Sequence, residues 1–421
     1  MNLTLREFLM PNRDARAAIN RRGFGLKDNV AETLAQEYKS ELVNSLREHG
    51  SALRFENLQI LLAKEFGFCY GVDRAVDYAY ETRMKFPDRM IYITTEIIHN
   101  PRVNRKLKEM GIRFLSGGGS DNCDFSDVKN DDVVILPAFG ASAEDMDRLL
   151  KIGCTLVDTT CGSVMNVWKR VERNAKDNFT SLIHGKYYHE ETIATSSRAL
   201  NFNGSYLVVR DEKEVAIICD FIHGNSSKES ILSHFDKAVS PGFDPDKDLQ
   251  RVGIANQTTM LSSESMHISD MIQKAMGVRY GQENLEHHFR AFDTICSATQ
   301  ERQDAIIELG EKKPDLIIVV GGYNSSNTNH LSEIGTRFAP TFHICESDCI
   351  VSNTEIRHKL PNESEEIITN NWLPNGPLTV GVTSGASTPD KVVEETILRI
   401  LSSRGHNLDE ALAVLETTVL K

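Results

Sequence analysis

Three cysteines share an unusual setting. Cys69 in "KEFGFCYGVDRAV", Cys161 in "LVDTTCGSVMNVWKRV" and Cys296 in "AFDTICSATQERQDAI" each stand between a short apolar run and a stretch of helical period. At a helix N-terminus the macrodipole and free amides favour a thiolate, which is the form that ligates metal. Separations of 92 and 135 residues are too long for a local zinc knuckle. They suit one ligand from each of three α/β units converging on a shared axis. Three thiolates on a cubane iron–sulfur cluster, usually bound by four, would leave one iron open to substrate. The same three on zinc would make an open, catalytic site rather than a closed structural one. The other five cysteines lack this context. Cys123 lies in a polar loop, Cys154 and Cys219 lie in or beside apolar elements, and Cys345 and Cys349 form only a C-x-x-x-C, so all five read as structural or incidental.

The polar groups that could serve such a centre follow other apolar runs. "HGKYYHEET" offers Lys186, His189, Glu190 and Glu191 directly after one of them. Two acids beside a histidine at a strand end suit acid–base work. Repulsion from an anionic cluster and an anionic substrate would raise a carboxyl pKa, so that Glu191 could stay protonated and deliver that proton. "GGYNSSNTN", "TSGASTPD" and "NQTT" carry hydroxyl and amide donors at helix starts. Taken singly, each could merely cap its helix. Together they read as a neutral cradle for phosphate oxygens, although the lysine of a P-loop is missing. No G-x-G-x-x-G follows a strand, so a bound dinucleotide is not supported and electrons would have to come from a separate protein.

These residues need a scaffold that gathers strand ends. Ile- and Val-rich runs, among them "LQILLA" (58–63), "MIYIT" (90–94), "DVVIL" (132–136), "CTLVD" (154–158), "TSLIHG" (180–185), "QRVGIA" (250–255), "AFDTI" (291–295), "DLIIVVGG" (315–322) and "PLTVGV" (377–382), alternate with helical stretches. That alternation indicates an α/β protein with parallel sheets. In such sheets ligands bind beyond the carboxyl ends of strands, where helix N-termini point outward. The expected organisation is an N-terminal extension over 1–57 and a first α/β domain over 58–159. A second follows over 160–295, with an exposed insertion near 219–249, then a third over 296–388 and a C-terminal helix and tail over 389–421.

Composition narrows the class. In 421 residues, 47 basic against 60 acidic side chains give a net charge of −13, and no basic tract relieves it, so nucleic acid is an unfavoured partner. No apolar run reaches the roughly 20 residues that span a bilayer, and the first residues lack the apolar core of a secretory signal. Eight cysteines are far too few for a disulfide scaffold of this length. A cytoplasmic location is expected, in a bacterial cytosol or, for a plant or algal source, a plastid stroma.

"GFCYGVDRAV", "EIIHNPRVN", "VDTTCGSV", "HGKYYHEET", "ANQTT", "TICSATQERQDA", "VVGGYNSSNTNHL" and "GVTSGASTPD" together resemble the LytB/IspH family of 4-hydroxy-3-methylbut-2-enyl diphosphate reductases, over about residues 58 to 400. "NRRGFG" and "LPAFGAS" resemble its longer, plant- and cyanobacteria-like branch. The resemblance implies three small α/β domains in a pseudo-threefold cloverleaf around one [4Fe–4S] cluster held by Cys69, Cys161 and Cys296. It implies reductive dehydroxylation of the hydroxylated C5 diphosphate to isopentenyl and dimethylallyl diphosphate, with the substrate hydroxyl on the unique iron. Electrons would come from ferredoxin or flavodoxin and a proton from Glu191. His99, His189, Ser325, Ser326, Asn327 and Ser387 match the family's diphosphate ligands, and Thr258 the threonine beside the substrate hydroxyl. Two positions depart from the pattern. Phe139 stands where many members have a further histidine donor, and Gly162 replaces the proline after the second cluster cysteine.

Other readings keep the same three sulfurs. A three-cysteine iron–sulfur enzyme of the quinolinate-synthase type would share the cluster but not "HGKxxHxE" or "NSSN". A non-catalytic iron–sulfur redox protein would need neither proton donor nor cradle. A zinc hydrolase would differ in the metal.

Overall fold

The structure is a computed structural model that describes residues 19–115, 123–292, 294–361, 363, 365–407 and 409–411. Residues 1–18 of the N-terminal segment read from sequence, and the end of the C-terminal tail, lie outside the described residues.

Strands rich in Ile, Val and Leu assemble into three sheets, and their buried faces are nearly continuous apolar runs, as parallel strands covered on both sides require. The first sheet runs Ile19–Asn20, Thr155–Asp158, Val133–Leu136, Ile91–Ile93, Ile112–Phe114, and every pairing is parallel. The second runs Phe289–Arg290, Val252–Asn256, Thr180–His184, Tyr206–Val209, again all parallel. The third runs Glu366–Asn370, Glu355–Lys359, Thr341–Ile344, Leu316–Val320, Leu378–Ser384, Leu58–Leu62, Ala52–Arg54. Its four central strands are parallel, and antiparallel strands close it at both edges. The α/β class read from the alternation is thus what folds.

Sheet membership does not follow chain order. Leu58–Leu62, which the sequence places at the head of the first unit, pairs with Leu378–Ser384 at the far end of the chain. Ile60 and Leu62 pack with Ile318, Val380 and Ile397 in the third core. The segment 219–249 is not simply exposed either. Ile231, Phe235, Phe243 and Leu249 are buried in the second core, and Val239 bridges to Leu207. The strand expected over 291–295 is instead the two residues Phe289–Arg290.

The helix Lys27–Tyr38 packs in the first core and Glu41–Glu48 in the third, and from Leu58 onward the described chain passes from one core to the next three more times, each passage carrying one of the three cysteines. Leu58–Leu62 belongs to the third sheet, while the following helix, Tyr70–Lys85, buries Val72, Ala75, Val76 and Ala79 in the core of the first. Thr155–Asp158 belongs to the first sheet, and the next helix, Gly162–Lys176, puts Val167 and Val171 into the second core. Phe289–Arg290 belongs to the second sheet, and Ser297–Glu311 packs Ile306 against Ile317 and Val319 of the third. Cys69, Cys161 and Cys296 are the N-caps of those helices. The ligands therefore mark the crossings between units rather than the interior of each. Among the described residues no helix is long and apolar enough to cross a membrane.

Candidate active site

The sulfur side is pinned by the backbone. The Cys69 amide donates to the Ala386 carbonyl at 3.1 Å, the Cys161 amide to Ala138 at 2.8 Å and the Cys296 amide to Thr258 at 3.3 Å. Each cysteine is thereby tied to a loop of another strand end. Gly71 shows how closely the first two approach. A Cβ there would lie 2.5 Å from Cys161 Sγ and 4.0 Å from Cys69 Sγ, so only glycine leaves the space between them free. Cys296 also senses the charges of Cys69 and Glu191, and Cys69 that of Cys161. The structure thus brings the three sulfurs and the predicted acid to one place.

Burial overrules the helix amides at Cys69 and Cys296. It pushes the Cys69 thiol up against hydrogen bonds from Val72 and Gly71 and the nearby Arg302 charge. It pushes Cys296 up to about 11, despite the Thr299 hydroxyl at 2.9 Å and amide at 3.3 Å. The sequence expectation of thiolates favoured by helix termini alone is corrected accordingly. Buried thiols this close together suit a bound cation that compensates their ionisation. Arg302, which sequence reasoning missed, is almost fully buried and donates to the carbonyls of Gly67 (2.8 Å) and Ala298 (2.8 Å), joining the Cys69 loop to the Cys296 helix. Nothing in "TQERQDA" distinguishes it from an exposed helical arginine.

Glu191 is 3 % exposed, and its Oε1 accepts from the Thr258 amide at 2.6 Å. Burial raises its carboxyl to about 7, against the Thr258 hydrogen bonds and the His99 charge, which lower it. The direction matches the sequence expectation, but the cause is desolvation rather than like-charge repulsion. Thr258 joins the two sides, since its amide holds Glu191 and its carbonyl holds Cys296.

The donor side is marked by atoms with no partner. His189 caps the helix Glu190–Leu200 by accepting from the Glu191 amide at Nδ1, 3.2 Å. Burial, aided by His99 and Lys186, keeps the ring neutral, so its proton sits on Nε2. That Nε2 is buried without a hydrogen-bond partner, as are His99 Nε2, Ser326 Oγ and Asn327 Nδ2. His99 differs from His189. Burial lowers its pKa, but the hydrogen bond to Glu96 at 2.9 Å and the charge of Glu190, 3.7 Å from Nε2, outweigh this and raise it. Its ring lies 5.2 Å from that of His189. Phe139 stacks on His99 at 4.8 Å with planes 10° apart, so it cannot donate a hydrogen bond but fixes the neighbouring donor's orientation. Gly162 opens its helix with nothing near where a Cβ would be, so the missing proline leaves Cys161 in place.

Ser325, Ser326, Asn327 and Ser387 join the same region. Ser325 caps the helix Ser326–Gly335 through the Thr328 amide, Asn327 Oδ1 accepts from Ala386, and Ser387 Oγ donates to the His99 carbonyl at 3.2 Å. A Cβ at Gly322 would run into that same carbonyl, so glycine is required for the loop to approach. Beside His99 and His189 opens a cleft of about 920 Å³, flanked by Lys186, Arg210, Lys213 and Lys359. Glu190, Asp211, Glu212, Glu264, Glu333 and Glu363 line the same cleft, so these cations stand among carboxylates and do not reverse the overall negative charge.

The family model for LytB protein matches residues 60–401. A 4-hydroxy-3-methylbut-2-enyl diphosphate reductase from Synechococcus sp. (strain CC9311) is 52% identical over 384 residues, covering 91% of this chain and 95% of that one. One from Gloeobacter violaceus is 50% identical, covering 95% and 96%. The solved structure of the Plasmodium falciparum E-1-hydroxy-2-methyl-but-2-enyl-4-diphosphate reductase is 25% identical with a TM-score of 0.58, covering 82% of this chain and 87% of that one. A solved (E)-4-hydroxy-3-methyl-but-2-enyl diphosphate reductase, described as the terminal enzyme of the non-mevalonate pathway, is 26% identical with a TM-score of 0.50, covering 82% and 99%.

Proposed function

The chain belongs to the LytB family, and from that premise we propose how its residues carry out reductive dehydroxylation of (E)-4-hydroxy-3-methylbut-2-enyl diphosphate. The enzyme is an oxidoreductase of the last step of the methylerythritol phosphate route to isoprenoids. Two electrons and two protons convert the substrate to isopentenyl or dimethylallyl diphosphate and water.

Cys69, Cys161 and Cys296 would hold one iron–sulfur cluster, read as [4Fe–4S]. The gap kept by Gly71, and the buried thiols that need a compensating cation, fit that group. When bound, such a cluster supplies electron transfer and an open iron beside the substrate. The protein's part is to hold the diphosphate, exclude water and move a proton. His189 Nε2, Ser326 and Asn327 present unpaired buried donors, the arrangement an anion satisfies, and His99 Nε2 joins them once its ring is protonated, since Nδ1 already donates to Glu96. Ser325 and Ser387 hold the loops that carry them. Glu191, anchored on Thr258, keeps its proton near neutral pH and delivers it to the departing hydroxyl. A small acidic electron carrier, ferredoxin or flavodoxin, would serve as donor, and the enzyme would work in a bacterial cytosol or a plastid stroma.

The observation that supports this reading is the linkage Glu191–Thr258–Cys296, in which one residue holds both the acid and a ligand cysteine. The test is anaerobic incubation of cluster-loaded protein with the hydroxylated C5 diphosphate and a chemical reductant. Formation of both C5 products is expected, and no turnover would reject the substrate.

A further inference from the structure

Cys345 and Cys349 lie outside this centre, and the sequence offers only their spacing. Cys345 follows the strand Thr341–Ile344, and Cys349 ends the short turn Ser347–Cys349. The turn folds the chain back so that the two sulfurs stand 3.5 Å apart as free thiols. Cys345 is partly exposed, whereas Cys349 is fully buried. The phenol of Tyr323 lies 3.8 Å from Cys349 Sγ and the Arg357 guanidinium 3.9 Å from it. To bond, the sulfurs would close from 3.5 Å to about 2.05 Å. The pair is also asymmetric. The hydrogen bond from Cys345 draws the Cys349 thiol down to about 5 and pushes Cys345 up.

We propose that Cys345 and Cys349 form a reversible dithiol–disulfide site, oxidised by exchange with a low-molecular-weight disulfide, whose state Tyr323 relays to the diphosphate loop. Passing the shared proton inward to Cys349 frees the outer Cys345 sulfur, which attacks R–S–S–R and expels one thiolate. Cys349, giving up its proton, then attacks the Cys345 sulfur and expels the second. The protein pair, one thiol and one thiolate, loses two electrons and one proton, and the small disulfide leaves as one R–SH and one R–S⁻, which takes its proton from solvent. The relay is short. The Tyr323 phenol touches Cys349, while its carbonyl accepts from Asn329 (2.8 Å) and Lys359 (3.3 Å) at the start of the loop bearing Ser325, Ser326 and Asn327. Oxidation replaces the thiolate that faces Tyr323 and Arg357 with a neutral disulfide sulfur. This relay, unlike the thiol chemistry, rests on the function proposed above.

The test holds cluster-loaded protein anaerobically in a series of glutathione and glutathione disulfide buffers, followed by acid quench, alkylation and mass spectrometry. One tryptic peptide, 338–357, contains both cysteines. It is expected to become two hydrogens lighter and alkylation-resistant along the series, with two-electron dependence, and to revert with dithiothreitol. In Cys345→Ser, Cys349 should never enter an intrachain disulfide. Independent alkylation of both thiols across the series would overturn the site. So would retention of one zinc per chain by the two thiols and Glu366, whose ligand atoms all lie within 4.8 Å. The substrate KM of the oxidised form should be several-fold above that of the reduced form, with Cys345→Ser unresponsive to the buffer. An unchanged KM would overturn the relay. The mass readout needs no turnover, so failure of the proposed reaction is separately visible.

Discussion

The two halves of the site are built on opposite plans. On the sulfur side each ligand is locked by its own amide to a distant loop, at the points where the chain leaves one core for the next. On the donor side the key atoms, His189 Nε2, His99 Nε2, Ser326 Oγ and Asn327 Nδ2, are buried and lack hydrogen-bond partners. Buried unsatisfied donors cost about 1–3 kcal/mol each. A protein that carries three of them, with the unpaired His99 Nε2 beside them, is preorganised for an anion that completes them. The contrast teaches that the sulfur side is a structural junction as well as a ligand set, while the donor side awaits its partner.

Substitutions can break that contrast in order of size. Cys69→Ser, Cys161→Ser or Cys296→Ser should each abolish stable iron binding and turnover together, read by iron analysis and visible absorbance. Glu191→Gln should retain iron yet lower kcat by about 10²-fold or more. If it lost iron as well, the two sides would not be separable. His189→Ala should raise the KM for substrate by about 10–100-fold, the range for a lost hydrogen bond to a charged group, with iron content unchanged.

The pH profile probes the bridge between the sides. Glu191 acts in its protonated form, which burial maintains up to about 7. Turnover should therefore be full below that pH and fall as pH rises through it, and the fall should vanish from the residual activity of Glu191→Gln. The smallest effect concerns Phe139. It stacks on His99 without donating, so Phe139→His adds one neutral donor and should lower the KM by about fivefold, the value of one ordinary hydrogen bond.

Much of this was legible in the residues. The three cysteines stood out because a strand–Cys–helix context is local. Glu191 stood out because two acids follow a histidine at a strand end. What the sequence did not carry was which sheet each strand joins. Leu58–Leu62 reads as the start of a unit, yet its partner, Leu378–Ser384, lies more than 300 residues away. That pairing is decided by packing of apolar faces, which periodicity does not encode. For the same reason the cysteines appeared to lie one per unit rather than at the crossings. Arg302 and the meeting of Cys345 with Cys349 depend on how a helix and a turn are oriented, and no spacing rule reports that.

The crossing arrangement is tested most directly by Mössbauer spectroscopy of the iron-reconstituted protein, with and without the hydroxylated C5 diphosphate. The account predicts one iron subsite distinct from the rest, altered by that diphosphate and lost in Cys161→Ser. A spectrum with all iron equivalent and indifferent to the diphosphate, or one unchanged by Cys161→Ser, would contradict it.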